Sequence, residues 1–179
     1  MSLLNETPRI LIVVGSETDH DVISGATDTL ESFSVAYRLT ISSAHRTPDR
    51  TIQIARNAEK DGFKVIIAAA GWSAGLPGAI AAETILPVIG IPVPSSVLLG
   101  MDAMLSMVQM PPGVPVATMA VGKGGAKNAA LLALQILAIE FTELKTRLLE
   151  YKKTLAQKVI KTSEKLEYNY SPGKQVPKS

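Results

Sequence analysis

The chain has 179 residues, 46% of them hydrophobic but only 4% aromatic, and a formal charge of +2. That size and aliphatic bias fit one α/β domain over residues 1–165, built on Val, Ile, Leu and Ala packing, with a frayed polar tail from 166 to 179. The absence of cysteine excludes disulfides, thiol nucleophiles and cysteine-ligated metals.

The charge is uneven, −3 over residues 1–140 and +5 over residues 141–179. The basic excess is scattered lysine on a helical pattern, which reads as a solvated helix face and not as a nucleic-acid surface. No run reaches the roughly 18 apolar residues of a membrane span. Residues 1–7 lack the basic and apolar regions of a signal peptide, so no membrane partner is expected and the cytoplasm is the expected location.

In chain order, buried-strand runs rich in Val and Ile occur at 10–14, 65–70, 88–91 and 116–121, with a more alternating run at 35–41. Helix-period segments lie between and after them at about 19–33, 48–60, 76–83, 96–107 and 125–141. Five β-α repeats of this kind predict a parallel sheet with right-handed crossovers and helices on both faces, a flavodoxin-like three-layer α/β/α sandwich. Ligands are then expected along the carboxyl edge of the sheet. Beyond residue 141, Leu144, Leu148, Tyr151, Leu155 and Val159 recur every three or four residues, predicting an extended C-terminal amphipathic helix. Pattern alone leaves open whether it packs on another subunit or folds back on its own chain.

The loops carry the candidate chemistry. In Gly15-Ser16-Glu17-Thr18-Asp19 a glycine permits a sharp turn, Ser16 offers a hydroxyl and Asp19 can accept from a ribose hydroxyl; helix capping by Ser16, Thr18 or Asp19 explains the same residues. The second turn, Ser42-Ser43-Ala44-His45-Arg46-Thr47-Pro48, places His45, an imidazole able to exchange protons near neutral pH, beside Arg46, which can fork onto phosphate or carboxylate. Thr47 suits a helix cap and Pro48 the first helical position. His20 reads as a surface residue.

The third turn, Ala69-Ala70-Gly71-Trp72-Ser73-Ala74-Gly75-Leu76-Pro77-Gly78, has three glycines and small side chains that permit close approach to a flat or anionic ligand. Proline stiffens Ile91-Pro92-Val93-Pro94-Ser95-Ser96, which can wall a site or an interface. A glycine-rich stretch, Gly122-Lys123-Gly124-Gly125, opens the last sheet-packed helix and reads either as an anion site or as a helix start. Two histidines and no cysteine supply no transition-metal cluster and no clear Ser/His/Asp triad.

Taken together, these motifs resemble the PurE family of purine biosynthesis. The resemblance rests on Gly15-Ser16 with Asp19, Ser43-Ala44-His45-Arg46-Thr47-Pro48-Asp49-Arg50, Leu76-Pro77-Gly78, Pro87-Val88-Ile89-Gly90, Val108-Gln109-Met110-Pro111, Gly113-Val114-Pro115-Val116-Ala117-Thr118 and Ala126-Lys127-Asn128-Ala129, all in order. It implies a homo-octamer acting on aminoimidazole ribonucleotides with active sites at subunit contacts and, in the microbial branch, no metal, ATP or organic cofactor. In the microbial branch the reaction moves a carboxylate from the exocyclic amine of N5-carboxyaminoimidazole ribonucleotide to ring carbon C4.

Carried over by position, His45 is the general acid/base. Ser16, Asp19, Ser43 and Arg46 bind the ribonucleotide, and the third loop, through Ala70, Gly71, Ser73, Gly75 and Leu76, holds the carboxylate or carbon dioxide. One departure stands out: the microbial branch usually has histidine where this chain has Gly75. Ser73, Gly75 and Leu76 resemble the animal-type branch, which carboxylates aminoimidazole ribonucleotide directly with carbon dioxide. The expected activity is the mutase reaction; direct carboxylation and a non-catalytic nucleotide-binding paralogue are the alternatives.

Overall fold

The computed structural model describes residues 6–166. Residues 167–179 of the expected tail lie outside the described residues. Ile10–Val14 forms β1, buried at every position, as a strand covered on both faces demands. A 3-10 turn at Glu17–Asp19 leads into α1, His20–Ser32. Then come β2 (Tyr37–Ile41), α2 (Pro48–Ala58), β3 (Val65–Ala70), α3 (Gly75–Ala81), β4 (Val88–Pro92) and α4 (Met101–Val108). A two-residue β5 (Ala117–Thr118), α5 (Lys123–Leu137) and α6 (Thr142–Leu166) complete the order.

All strand pairs are parallel, in the order β2-β1-β3-β4-β5. This is the doubly wound, flavodoxin-like arrangement, and its strand order reverses between β1 and β3. The pleat divides the core accordingly. Ile10, Ile12, Val14, Val65, Ile67 and Ala69 face α1 and α5, whereas Leu11, Val13, Ile66, Ala68 and Ala70 face α2, α3 and α4.

Three elements differ from the sequence reading, each for a local reason. The helix expected over 96–107 starts only at Met101, because Leu99 and Gly100 have φ of 52° and 87° and cannot continue a right-handed turn. The strand expected over 116–121 shrinks to Ala117–Thr118. It lies at the sheet edge after Pro115, and its neighbours stay beside β4 only through single bonds from Met119 N–H to the Gly90 carbonyl and from Gly122 N–H to the Pro92 carbonyl. The helix expected to run to 141 ends at Leu137, where the Leu137 carbonyl accepts from Glu140 and Phe141 in a tight turn before α6.

The C-terminal helix folds back on its own chain over its first part. Leu144 and Leu148 are buried in the core, and Tyr151 meets Phe33 edge to face at 5.5 Å. Beyond Tyr151 the helix leaves the body, with Leu155, Val159, Ile160 and Leu166 exposed. Among the described residues no helix is long and apolar enough to cross a membrane.

Candidate active site

The loops following β1, β2, β3 and β4 meet at the carboxyl edge of the sheet around a cavity of about 400 Å³. Its walls are Gly15, Ser16, Thr18 and Asp19; Ser43, Ala44, His45 and Arg46; Ala70, Gly71, Trp72, Ala74, Gly75 and Leu76; and Ser95. The volume falls within the roughly 300–1,000 Å³ typical of small-molecule sites.

The first loop is held by a reciprocal cap. Asp19 accepts from the Ser16 N–H at 3.1 Å, while the Ser16 hydroxyl accepts from the Thr18 N–H at 3.4 Å and the Thr18 hydroxyl at 3.0 Å. Capping and site lining are therefore combined in the same residues. Asp19 is only 4% exposed. Burial lifts its carboxyl above the usual 3.8, although the backbone N–H groups of Ser16 and Gly15 and the Arg46 charge pull the other way.

The second loop folds back on itself. Thr47 N–H donates to the Ser43 carbonyl at 2.8 Å, and the Thr47 hydroxyl contacts both the Ser43 N–H and carbonyl at 3.0 Å. Thr47 stands at the cap position of α2 with Pro48 behind it, but its side chain makes no cap bond to the helix. The hydroxyl is spent on closing the loop instead. Arg46 links this loop to the first: its Nη2 donates to the Gly15 carbonyl at 2.9 Å and its Nε to the Ser43 hydroxyl at 3.3 Å. The remaining guanidinium donors are available to an anion.

His45 stands on the cavity wall opposite the third loop. A Cβ at position 75 would lie 3.2 Å from His45 Nε2. Gly75 is the first residue of α3, where alanine would be the better helix former. The missing side chain there leaves room for the imidazole. Gly71 is constrained differently, since a Cβ on it would land on Ser95 Oγ, so the third loop packs directly on the segment after β4.

Nine of the ten site residues expected from the sequence converge on this cavity: His45, Ser16, Asp19, Ser43, Arg46, Ala70, Gly71, Gly75 and Leu76. Ser73 is the exception. It is exposed and does not line the cavity, because the turn closed by Ala74 N–H to the Gly71 carbonyl at 3.0 Å carries it outward. Gly15, Thr18, Ala44, Trp72, Ala74 and Ser95 line the cavity as well; the first five lie in the three loops singled out from the sequence, and Ser95 lies in the proline-stiffened segment expected to wall a site or an interface. Lys123, at the start of α5, lies apart from the cavity and approaches Asp28 at 4.0 Å. Among the described residues, no group of three or more His, Cys, Asp or Glu side chains is placed to hold a metal ion.

A parallel doubly wound sheet with a polar, guanidinium-bearing cavity at its switch point defines an α/β protein of the nucleotide-binding type. The chain belongs to the AIR carboxylase family, the PurE family, whose pattern matches residues 9–158. It is 50% identical over 167 residues to an N5-carboxyaminoimidazole ribonucleotide mutase of Pyrococcus horikoshii, covering 93% of each chain. To the protein of the same name from Escherichia coli K12 it is 46% identical over 164 residues, covering 92% of this chain and 97% of that one. The crystal structure of Treponema denticola PurE superimposes with a TM-score of 0.81 at 30% identity, over 90% of this chain and 99% of that one.

Two substitutions test the geometry. Because the folded-state pKa of Asp19 is raised, its contribution to stability is complete below the unfolded pKa and lost as pH rises through the folded one. The ionised carboxylate thus costs stability at neutral pH. Asp19→Asn is expected to melt at the same or a higher temperature than wild type at neutral pH and to lose that pH-dependent decline, read by thermal melts from acid to neutral pH. A clear drop in neutral-pH melting temperature would contradict this assignment. Gly75→Ala is expected to keep or raise the melting temperature while turnover falls about ten-fold, since small misplacements of a reacting group are costly. Unchanged kcat in that variant would show that the imidazole tolerates the added methyl group.

Proposed function

We propose that the protein is an N5-carboxyaminoimidazole ribonucleotide mutase of de novo purine biosynthesis, working in the cytoplasm as one unit over residues 1–165. The observation that carries this reading is the presence of His45 in the same cavity as Ser16, Asp19, Ser43 and Arg46, in a chain that matches the AIR carboxylase family over residues 9–158. The relatives named above as mutases support it.

In this reading Arg46, Ser16 and Ser43 anchor the ribosyl phosphate through charge-assisted and hydroxyl bonds, and Asp19 accepts from a ribose hydroxyl. The reaction breaks the N–C bond of the carbamate, releasing carbon dioxide as His45 delivers a proton to the exocyclic nitrogen. Ring carbon C4 then attacks the carbon dioxide, and His45 takes back the proton that C4 loses. No proton or electron is gained or lost over the cycle. One imidazole serves as acid and then as base. Ala70, Gly71, Gly75 and Leu76 form the wall that retains carbon dioxide between the two steps; the apolar side chains among them offer it no water.

The exposed apolar side chains of α6 form a surface that a second copy would cover, and we infer a homo-octamer, with active sites at subunit contacts as the family resemblance implies. Leu155→Lys combined with Val159→Lys is expected to shift the mass in light scattering to a smaller assembly with the helical circular dichroism of the body retained. An unchanged mass would assign the subunit contacts to other surfaces.

A second reading, direct carboxylation of aminoimidazole ribonucleotide with carbon dioxide, is favoured by Gly75 in place of the histidine usual in the microbial branch. Assay of both routes decides. The mutase reading expects conversion of the carbamate to the C4 carboxylate without ATP, with turnover in His45→Asn reduced by roughly 10²–10⁴ and nucleotide binding retained. Activity confined to aminoimidazole ribonucleotide plus bicarbonate would establish the second reading, and no turnover by either route would mark a non-catalytic paralogue.

A further inference from the structure

Trp72 is the sole tryptophan of the chain and borders the cavity that holds His45. Two unfavourable features meet in it. Its φ is 53°, a left-handed conformation that costs any residue with a Cβ, and its side chain is among the large apolar groups left exposed, at 65%. Strain of this kind persists only where neighbouring structure enforces it, and it concentrates at ligand-binding sites.

Enforcement is visible on both sides of the residue. Gly71 is packed so closely on Ser95 that it admits no side chain, and the Ala74 N–H closes the turn onto the Gly71 carbonyl at 3.0 Å. The backbone is pinned before and after Trp72, so the indole is held at the rim. Apart from the His45 imidazole, which the reaction uses, no other described lining residue is aromatic; the remaining apolar lining is Ala44, Ala70, Ala74 and Leu76.

We propose that Trp72 is a specificity-determining residue that stacks on the heteroaromatic base of the bound ribonucleotide. The inference rests on the ribonucleotide reading given above. Its physical basis is that an exposed indole is a large flat surface at low conformational cost, and a flat nitrogen heterocycle is the ligand group that covers it best. With the sugar phosphate held by Ser16 and Arg46 on one side, the indole supplies the contact that distinguishes a nucleotide from a bare sugar phosphate.

Because there is one tryptophan, its emission reports on this position alone. The full-length protein is titrated with aminoimidazole ribonucleotide and, separately, with ribose 5-phosphate, while calorimetry records the binding of each. The ribonucleotide is expected to quench or shift the emission with a midpoint equal to the calorimetric Kd, whereas ribose 5-phosphate binds without that change. Trp72→Ala is expected to raise KM about ten-fold or more, and by a larger factor than it lowers kcat, and Trp72→Phe to restore most of the loss.

Calorimetric binding of the ribonucleotide with unchanged emission would overturn the proposal, as would equal quenching by ribose 5-phosphate or an unchanged KM in Trp72→Ala. Emission that responds to protein concentration but not to nucleotide would likewise overturn it, assigning the indole to a subunit contact. If calorimetry detects no binding of the ribonucleotide, the ribonucleotide reading itself falls, and stacking falls with it.

Discussion

β1 is hydrogen-bonded along its whole length on both edges, to β2 and to β3, and the site depends on that double pairing. In register, Val14 lies beside Ile41 on one side and Ala69 on the other, so three strand ends finish at one level. The pairing then continues into the loops. Gly15 N–H bonds the Ala69 carbonyl at 3.0 Å, Ser42 N–H bonds the Val14 carbonyl at 3.0 Å, and Arg46 reaches the Gly15 carbonyl at 2.9 Å. Loops at this edge of a sheet are free to diverge in sequence, but here their first residues are still part of the hydrogen-bonded ladder. The positions of His45, Ser43 and Asp19 relative to one another are inherited from the sheet, a rigid element, and that is the condition for presenting several groups to one small ligand.

That rigidity carries features that folding alone would not favour. A buried carboxylate at Asp19 opposes its own ionisation, and a left-handed Trp72 holds an indole in water. Gly75 stands where alanine would strengthen a helix. All three lie on one cavity rim, while the two core clusters beneath are built mainly of aliphatic side chains. Close packing of Ile12, Ile67, Ile89 and Leu134, none measurably exposed, supplies the stability against which such local costs are tolerated.

The parallel sheet and most of the site were legible because both rest on short-range signals. Val and Ile runs of four to six residues bounded by glycine or proline announce buried strands, and their alternation with helix-period segments leaves few topologies. Since each strand end is followed at once by its loop, residues such as His45 and Gly71 could be placed at the sheet edge before any contact was known. What escaped the sequence depends on contacts between distant segments. Ser95 belongs to the cavity because Gly71 packs against it, a relation across more than twenty residues. Thr47 turned its hydroxyl back to Ser43 where a forward cap was equally compatible with its neighbours. Ser73 shares composition with the residues around it, and only the turn geometry sends it out. The late start of α4 was, by contrast, written in Gly100, which a helical pattern over 96–107 passes over.

Position 75 bears on how the proton moves. Any side chain there begins at a Cβ 3.2 Å from His45 Nε2, so a second imidazole would require the first to move or the α3 backbone to retreat. In this chain the third loop and His45 are matched to each other as glycine and imidazole. A reaction that first delivers a proton to nitrogen and then recovers one from carbon needs no second carrier, because the group that has given its proton is the base required next. What a second histidine would otherwise contribute is positive charge and hydrogen-bond donors near the migrating carboxylate. Arg46 already brings a guanidinium charge to the cavity. The proposed chemistry is therefore compatible with a single imidazole, provided that it keeps the place beside Gly75 through both steps.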